Sequence, residues 1–217
     1  IDKYEGDAII AFFGAPISMD DHATQACRTA ICMKKAEVTL NKKFLEENLS
    51  PTPLFTRIGI NTGDMIVGNM GTPNKMDYTI MGNAVNLAAR LEGVNKQYNT
   101  KGILISEHTR AQIGEEFLLR RLDRVRVVGV QTPLRLYELV GFLHDATPEE
   151  MEAIEQWEQA IDLYEQKQFD KARRIFFSLA AKDPHDKVAP LYIKRCDDFI
   201  ASPPDSSWDG VFNLTQK

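Results

Sequence analysis

The chain has 217 residues, enough for one domain with a sizeable core plus an appendage. Its hydrophobic content of 43% and charged content of 26% are ordinary for a globular protein, and its net charge of −5 argues against a general polyanion binder, so no nucleic-acid partner is expected. The longest apolar run, residues 8–16, is too short to span a bilayer, and there is no signal-peptide pattern.

In chain order, residues 1–17 (IDKYEGDAIIAFFGAPI) read as a hairpin: a short strand, a turn at Glu5-Gly6-Asp7, and AIIAFFG leaving as a buried strand. The chain opens at Ile1 already inside this apolar pattern and reads as a piece of a longer protein. Asp20-Asp21 start a long helix to about Leu49, ended by Ser50-Pro-Thr-Pro53. Residues 55–60 and 65–69 are strands around the turn Asn61-Thr-Gly-Asp64, and residues 71–75 form a polar loop. DYTIMG, from Asp77, is a strand or turn that runs into a helix, NAVNLAARLE, continuing to about Tyr98. Residues 103–105 make a short strand, Ser106 caps a helix over 107–114, and residues 118–128 and 134–140 make a closing strand pair joined at 129–133. This order implies an α+β sandwich, with a mostly antiparallel sheet and helices on one face.

From residue 147 the strand pattern stops. Thr147, Pro148 and Glu150 resemble a helix start. Trp157, Ala160 and Tyr164, then Phe169, Ala172 and Phe176, then Pro184, resemble one tetratricopeptide repeat, although the second half runs one residue short. A helical hairpin docked on the domain, or on a dimer partner, accounts for the same spacing, and a protein partner for these helices is the further alternative. The organisation expected is 1–141 as the main domain, 142–202 as a helical extension and 203–217 as an irregular tail anchored by Trp208 and Phe212.

Cys27, Cys32 and Cys196 form no Cys-x-x-Cys pair, and His22, His108, His144 and His185 are scattered, so reduced thiols in a cytoplasmic setting are expected rather than a zinc site or a disulfide framework. Chemistry-bearing residues concentrate elsewhere. Asn83, Asn86 and Arg90 share one helix face. Taken alone, this stripe has two readings. In one, Asn83 is an N-cap and Arg90 a solvated surface arginine. In the other, the amides bind a sugar and the guanidinium faces phosphate charge. Asp7 sits at a glycine turn, where a carboxylate can reach a hard cation or simply suit the turn; Lys3 lies on the entering strand.

Taken in order, KYEGDAIIAFFG, GINTGDMIVGNMG and DYTIMGNAVNLAARLE closely resemble the catalytic domain of class III adenylate and guanylate cyclases, over about residues 1–141. The resemblance implies a ferredoxin-like α+β fold and a head-to-tail homodimer with active sites at its interface. It further implies two Mg²⁺ (or Mn²⁺) ions and conversion of ATP to 3′,5′-cyclic AMP and pyrophosphate. Carried onto this chain, Asp7 matches a metal-binding aspartate. Lys3 matches the residue that reads adenine, with Thr79 as its partner. Asn86 matches the asparagine that orients the ribose, and Arg90 the arginine that stabilises the pentavalent phosphate. The Lys3–Thr79 pair resembles the class IIIb branch, several members of which respond to bicarbonate, and it implies preference for adenine over guanine.

Two departures stand out. The family's other metal aspartate belongs to a strand upstream of Ile1, so the fragment alone is expected to be inactive. A lysine that meets the triphosphate in the family is replaced within Val127-Val128-Gly129-Val130. The rival reading is therefore a cyclase-homology domain that binds nucleotide and regulates a partner without turnover. The expected setting is a cytoplasmic domain; a membrane anchor, if the parent protein has one, would lie upstream.

Overall fold

The computed structural model describes residues 1–126 and 132–213. The Val127-Val128-Gly129-Val130 departure, and most of the turn expected at 129–133, lie outside the described residues.

The chain begins with a hairpin of β1 (Lys3–Glu5) and β2 (Ala8–Ile10), turning through Gly6 at φ 63°. A positive φ there suits glycine, which carries no Cβ to clash. The expectation of a buried strand at AIIAFFG is not met. β2 is three residues long, Ile9 is 52% exposed, and the ribbon pairs only with itself among the described residues. With no sheet on either edge, the ribbon leaves its apolar side chains uncovered.

Next comes α1 (His22–Glu46), which buries Ala23, Cys27, Ala30 and Ile31 at helical spacing. Then follow β3 (Ile58–Ile60), β4 (Ile66–Thr72), β5 (Lys75–Met81), α2 (Asn83–Tyr98), β6 (Ile103–Ser106), α3 (Glu107–Arg110), β7 (Phe117–Arg126) and β8 (Leu134–Phe142). Ser106 caps α3 as expected, its side chain accepting from Thr109 N.

The main sheet has the order β3-β6-β8-β7 plus a short C-terminal strand, β9 (Phe212–Asn213). It is mixed: β3 runs parallel to β6 and β9 parallel to β7, while β6–β8 and β7–β8 are antiparallel. β4 and β5 form a separate antiparallel ribbon. Nor do the helices keep to one face. Ile103 and Ile105 of β6 join the α1 residues in one core, whereas Leu104 joins Leu87, Leu91, Val94 and Tyr98 of α2 in another. Side chains alternate along a strand, so a strand whose four residues are all buried has cover on both faces.

The C-terminal segment is three helices, not a hairpin: α4 (Pro148–Glu165), α5 (Phe169–Lys182) and α6 (Val188–Ala201). Val188, Ala189, Tyr192 and Cys196 make the buried face of α6, a period outside the repeat-like signature. Thr147 and Glu150 form a complete capping box at the start of α4. Trp157, Ala160, Tyr164, Phe169, Ala172 and Phe176 are all buried in the core that also contains Leu122, Val125, Leu134 and Leu136 of the sheet. The apolar spacing that resembles a repeat therefore packs the helices on the domain. Trp157 Nε1 donates to Arg121 O (2.6 Å) and Tyr192 Oη to Leu122 O (2.7 Å), which pins the helices to β7. No helix among the described residues is long and apolar enough to cross a membrane.

Burial decides thiol reactivity. Cys27 and Cys196 have no exposed surface, whereas Cys32 is exposed. Burial, reinforced by the charge of Glu116, pushes the Cys27 thiol up to about 12; burial, with Asp197 beside it, does the same to Cys196. One fast-reacting thiol is expected from a disulfide reagent on the native protein at neutral pH, and three in denaturant. More than one in the native state would show that these helices open readily.

Glu37 of α1, 9% exposed, ties down the segment before β3, accepting from Lys34 Nζ (2.5 Å) and Thr56 N (2.6 Å). Burial alone would raise its carboxyl, but those hydrogen bonds and the Lys34 charge outweigh it and hold the group below the ordinary glutamate range. The stability it contributes is therefore present above the unfolded-state value and is lost as pH falls through the lowered folded value. Glu37→Gln is expected to be less stable than the parent at neutral pH, with the deficit shrinking in acid. Urea melts at the two pH values check this; an equal deficit at both would remove the ion pair from the account.

Candidate active site

The helix α2 carries the Asn83–Asn86–Arg90 stripe, and main-chain contacts set its position. Gly59 of β3 lies so close to it that a Cβ there would stand 2.3 Å from Ala88 O and 2.5 Å from Glu92 N. At the helix's far end, buried Asn95 donates to Ile58 O (3.0 Å) and Gly102 O (2.9 Å). At its near end, Asn61 of the GINTGD turn donates to Ala84 O (3.0 Å) while accepting from Ser106 Oγ (2.6 Å). The helix is thus fixed to β3 and β6 at three points. Its N-cap is Gly82, at φ 152°, and there is no side-chain cap. Asn83 is the first helical residue, so the capping role open to it in the sequence is not used.

Asn83 and Asn86 are exposed and Arg90 is half-buried. Among the described residues, no hydrogen bond or ion pair engages the side chains of Asn86, Arg90 or Asp7. Asn86 and Arg90 stand on successive turns of α2 and Asp7 at the hairpin turn, and among the described residues no hydrogen bond or ion pair links them. A guanidinium without a carboxylate partner is available for an anion.

Lys3 and Thr79 are brought together. They come from different ribbons, β1 and β5, and meet at one carboxylate. Thr79 Oγ1 donates to Asp2 Oδ2 (3.0 Å), and Lys3 Nζ lies 3.5 Å from the same oxygen. The Asp2 side chain is only 1% exposed, and its other oxygen, Oδ1, is buried without a hydrogen-bond partner. Asp2 did not stand out in the sequence. The one available signal was a carboxylate adjacent to a candidate lysine, and strand alternation alone places such neighbours on opposite faces.

Asp7 lies exposed at the hairpin turn. Among the described residues, no group of three or more histidine, cysteine, aspartate or glutamate side chains forms a metal cluster. A single carboxylate does not match the donor set that two divalent ions require. The described residues by themselves therefore do not fit a two-ion site.

The family description "Adenylate and Guanylate cyclase catalytic domain" matches residues 3–141. The adenylate cyclase described as terminal-differentiation specific from Dictyostelium discoideum is 35% identical over 201 residues, covering 90% of this chain and 9% of that protein. That alignment runs on into the C-terminal helices. Adenylate cyclase 1 of Rhizobium meliloti (strain 1021) is 37% identical over 140 residues, covering 64% of this chain and 20% of that protein. Among solved structures, the adenylyl cyclase CyaB from P. aeruginosa superposes with a TM-score of 0.60 at 34% identity, covering 67% of this chain and 74% of that one. The guanylyl cyclase Cya2 superposes at 0.55 with 31% identity, covering 68% and 71%. The chain spans only 9% and 20% of the length of the two curated relatives. One of these structures is an adenylyl cyclase and the other a guanylyl cyclase, so the likeness by itself does not choose between the nucleotides. The mixed α+β fold and the match over residues 3–141 place this chain in the adenylate and guanylate cyclase catalytic-domain family.

Proposed function

We propose that the full-length protein is an adenylate cyclase. The 3′-oxygen of ATP attacks the α-phosphorus, the bond from that phosphorus to the bridging oxygen breaks, and pyrophosphate leaves with the electron pair; the 3′-hydroxyl proton is released. The observation that carries the adenine assignment is the meeting of Lys3 and Thr79 at Asp2. An ammonium suits adenine N1, an acceptor, where guanine carries a proton. Asn86 orients the ribose, and Arg90 neutralises charge as it grows on the α-phosphate.

The active unit in this reading is a head-to-tail homodimer. The exposed side chains of Tyr4, Ile9, Ile66, Met76, Tyr78 and Met81 on the two ribbons support it, as apolar surface that a second copy would cover. Asp7 would supply one carboxylate to Mg²⁺ or Mn²⁺, and the reading includes a second carboxylate from upstream sequence.

The test is cyclic nucleotide production by the full-length protein, with ATP or GTP and either ion. Cyclic AMP from ATP supports the reading. A folded dimer that binds ATP but yields no product would favour the nucleotide-binding regulator instead, and cyclic GMP from GTP would overturn the adenine assignment.

A further inference from the structure

We propose that Asp2 is the positioning residue that sets base selectivity, by fixing the Thr79 hydroxyl as an acceptor and drawing the Lys3 ammonium to the same place. The inference rests on the reading of Lys3 and Thr79 as the base-reading pair. A threonine hydroxyl alone does not discriminate, because it donates one hydrogen bond and accepts two. It could therefore serve the 6-amino group of adenine or the 6-carbonyl of guanine equally. Here its proton is committed to Asp2 Oδ2 at 3.0 Å, so what it offers a ligand is lone pairs only.

The consequences for the two bases are opposite. Adenine brings an amino donor to Thr79 and an N1 acceptor to Lys3, so both contacts are complementary. Guanine brings a carbonyl oxygen to the Thr79 lone pairs and an N1–H to the Lys3 ammonium, so both contacts are mismatched. Sites built around hydrogen-bonding groups reject the wrong partner because those groups are then left unpaired.

A second observation belongs to the same carboxylate. Among the described residues, Asp2 Oδ1 is the one buried side-chain nitrogen or oxygen without a hydrogen-bond partner. Burying a polar atom unpaired is costly, and native structures rarely tolerate it without a reason. The Asp2 backbone is held independently, its amide donating to Ile10 O at 2.8 Å. The hairpin therefore forms without this carboxylate's side-chain bonds, and the carboxylate serves the Lys3–Thr79 pair.

The test measures displacement of a fluorescent ATP analogue by ATP and by GTP on the full-length dimer, a readout that needs no turnover. Five proteins are compared: the parent, Asp2→Asn, Thr79→Ala, Lys3→Ala and the double variant of Asp2→Asn with Thr79→Ala. Asp2→Asn keeps the shape but removes the obligate acceptor, freeing the hydroxyl to turn outward. The ATP-over-GTP ratio is expected to fall about tenfold, the size of one net hydrogen bond. In the Thr79→Ala background the same change is expected to have a clearly smaller effect, only the part that Asp2 exerts through Lys3. Equal weakening of ATP and GTP by Asp2→Asn would overturn the proposal by showing a merely structural role, as would a full-sized effect in the Thr79→Ala background. If Thr79→Ala and Lys3→Ala leave the ratio unchanged, or the parent binds neither nucleotide, the base-reading assignment itself fails, and the role of Asp2 with it.

Discussion

Arg90→Ala is expected to lower the kcat of cyclic AMP formation by roughly 10²–10³-fold in the full-length protein, with KM for ATP changing far less. The reason is where charge develops. The α-phosphate gains negative charge only as the reaction proceeds, so a guanidinium aimed at it works mainly in the transition state. The structure also makes the substitution clean. Among the described residues Arg90 has no hydrogen bond or ion pair to lose, and α2 is held by Gly59, Asn61 and Asn95 instead. Stability is therefore expected to fall by no more than about 1 kcal/mol, the typical size for a substitution that breaks no specific interaction at a half-buried position. Arg90→Lys keeps a charge but loses the planar fork, so it should recover only part of the rate. A variant that loses both rate and thermal stability would mean Arg90 supports the fold, and the transition-state role would have to be abandoned.

The second large effect concerns the join between sheet and helices. Arg120 of β7 bridges Glu138 of β8 (2.5 Å) and Asp186 (2.9 Å), which lies in the turn before α6, and its guanidinium stacks 4.5 Å from the Trp157 ring centroid. Glu138 is only 1% exposed at its side chain and also accepts from Lys101 N (2.7 Å). Arg120→Ala would strand that carboxylate without its cation. Removing one partner of a buried pair typically costs about 3–5 kcal/mol, more than the pair adds relative to an apolar substitute. Combining Arg120→Met with Glu138→Gln should recover more than half of the loss, because the amide still accepts from Lys101 N without carrying a charge. Urea denaturation midpoints of the three proteins check both steps. If Arg120→Ala melted like the parent, the cluster would have to be solvated, and the helices would be held by apolar packing and the Trp157 and Tyr192 hydrogen bonds without it.

Much of the fold was legible because it depends on local pattern. The helical spacing of Ala23, Cys27, Ala30 and Ile31 announces α1, and the Thr147-Pro148…Glu150 signal marks the start of α4. Pairing was harder to read. Nothing in β3 says that its neighbour is parallel β6, and the short apolar run at 103–105 leaves open whether one face or both are covered. The helical character of 142–202 is legible, but α6 is not separable as a third helix, because the repeat-like spacing ends at Pro184 and the period of Val188, Ala189, Tyr192 and Cys196 lies beyond it. In the site, Lys3 and Thr79 were named from the sequence and do meet. Asp2, which joins them, could not be read, because its role depends on a hydrogen bond between two ribbons distant in sequence. The functional roles proposed for Asp7, Asn86 and Arg90 come from likeness to the family, because exposed or half-buried side chains without partners among the described residues carry no local signal of what they bind.

The bare contact at Gly59 has a further consequence. Where a helix rests on a sheet through side chains, each change of side-chain volume shifts it slightly, and such shifts accumulate as sequences diverge. Here backbone meets backbone, with no room for even a methyl group between β3 and α2. The contact works as a mechanical datum, a zero from which the rest of the helix is measured. The outer surface of α2 can drift through many substitutions while Asn86 and Arg90 keep their height above the sheet. A single methyl at position 59 would instead move both at once.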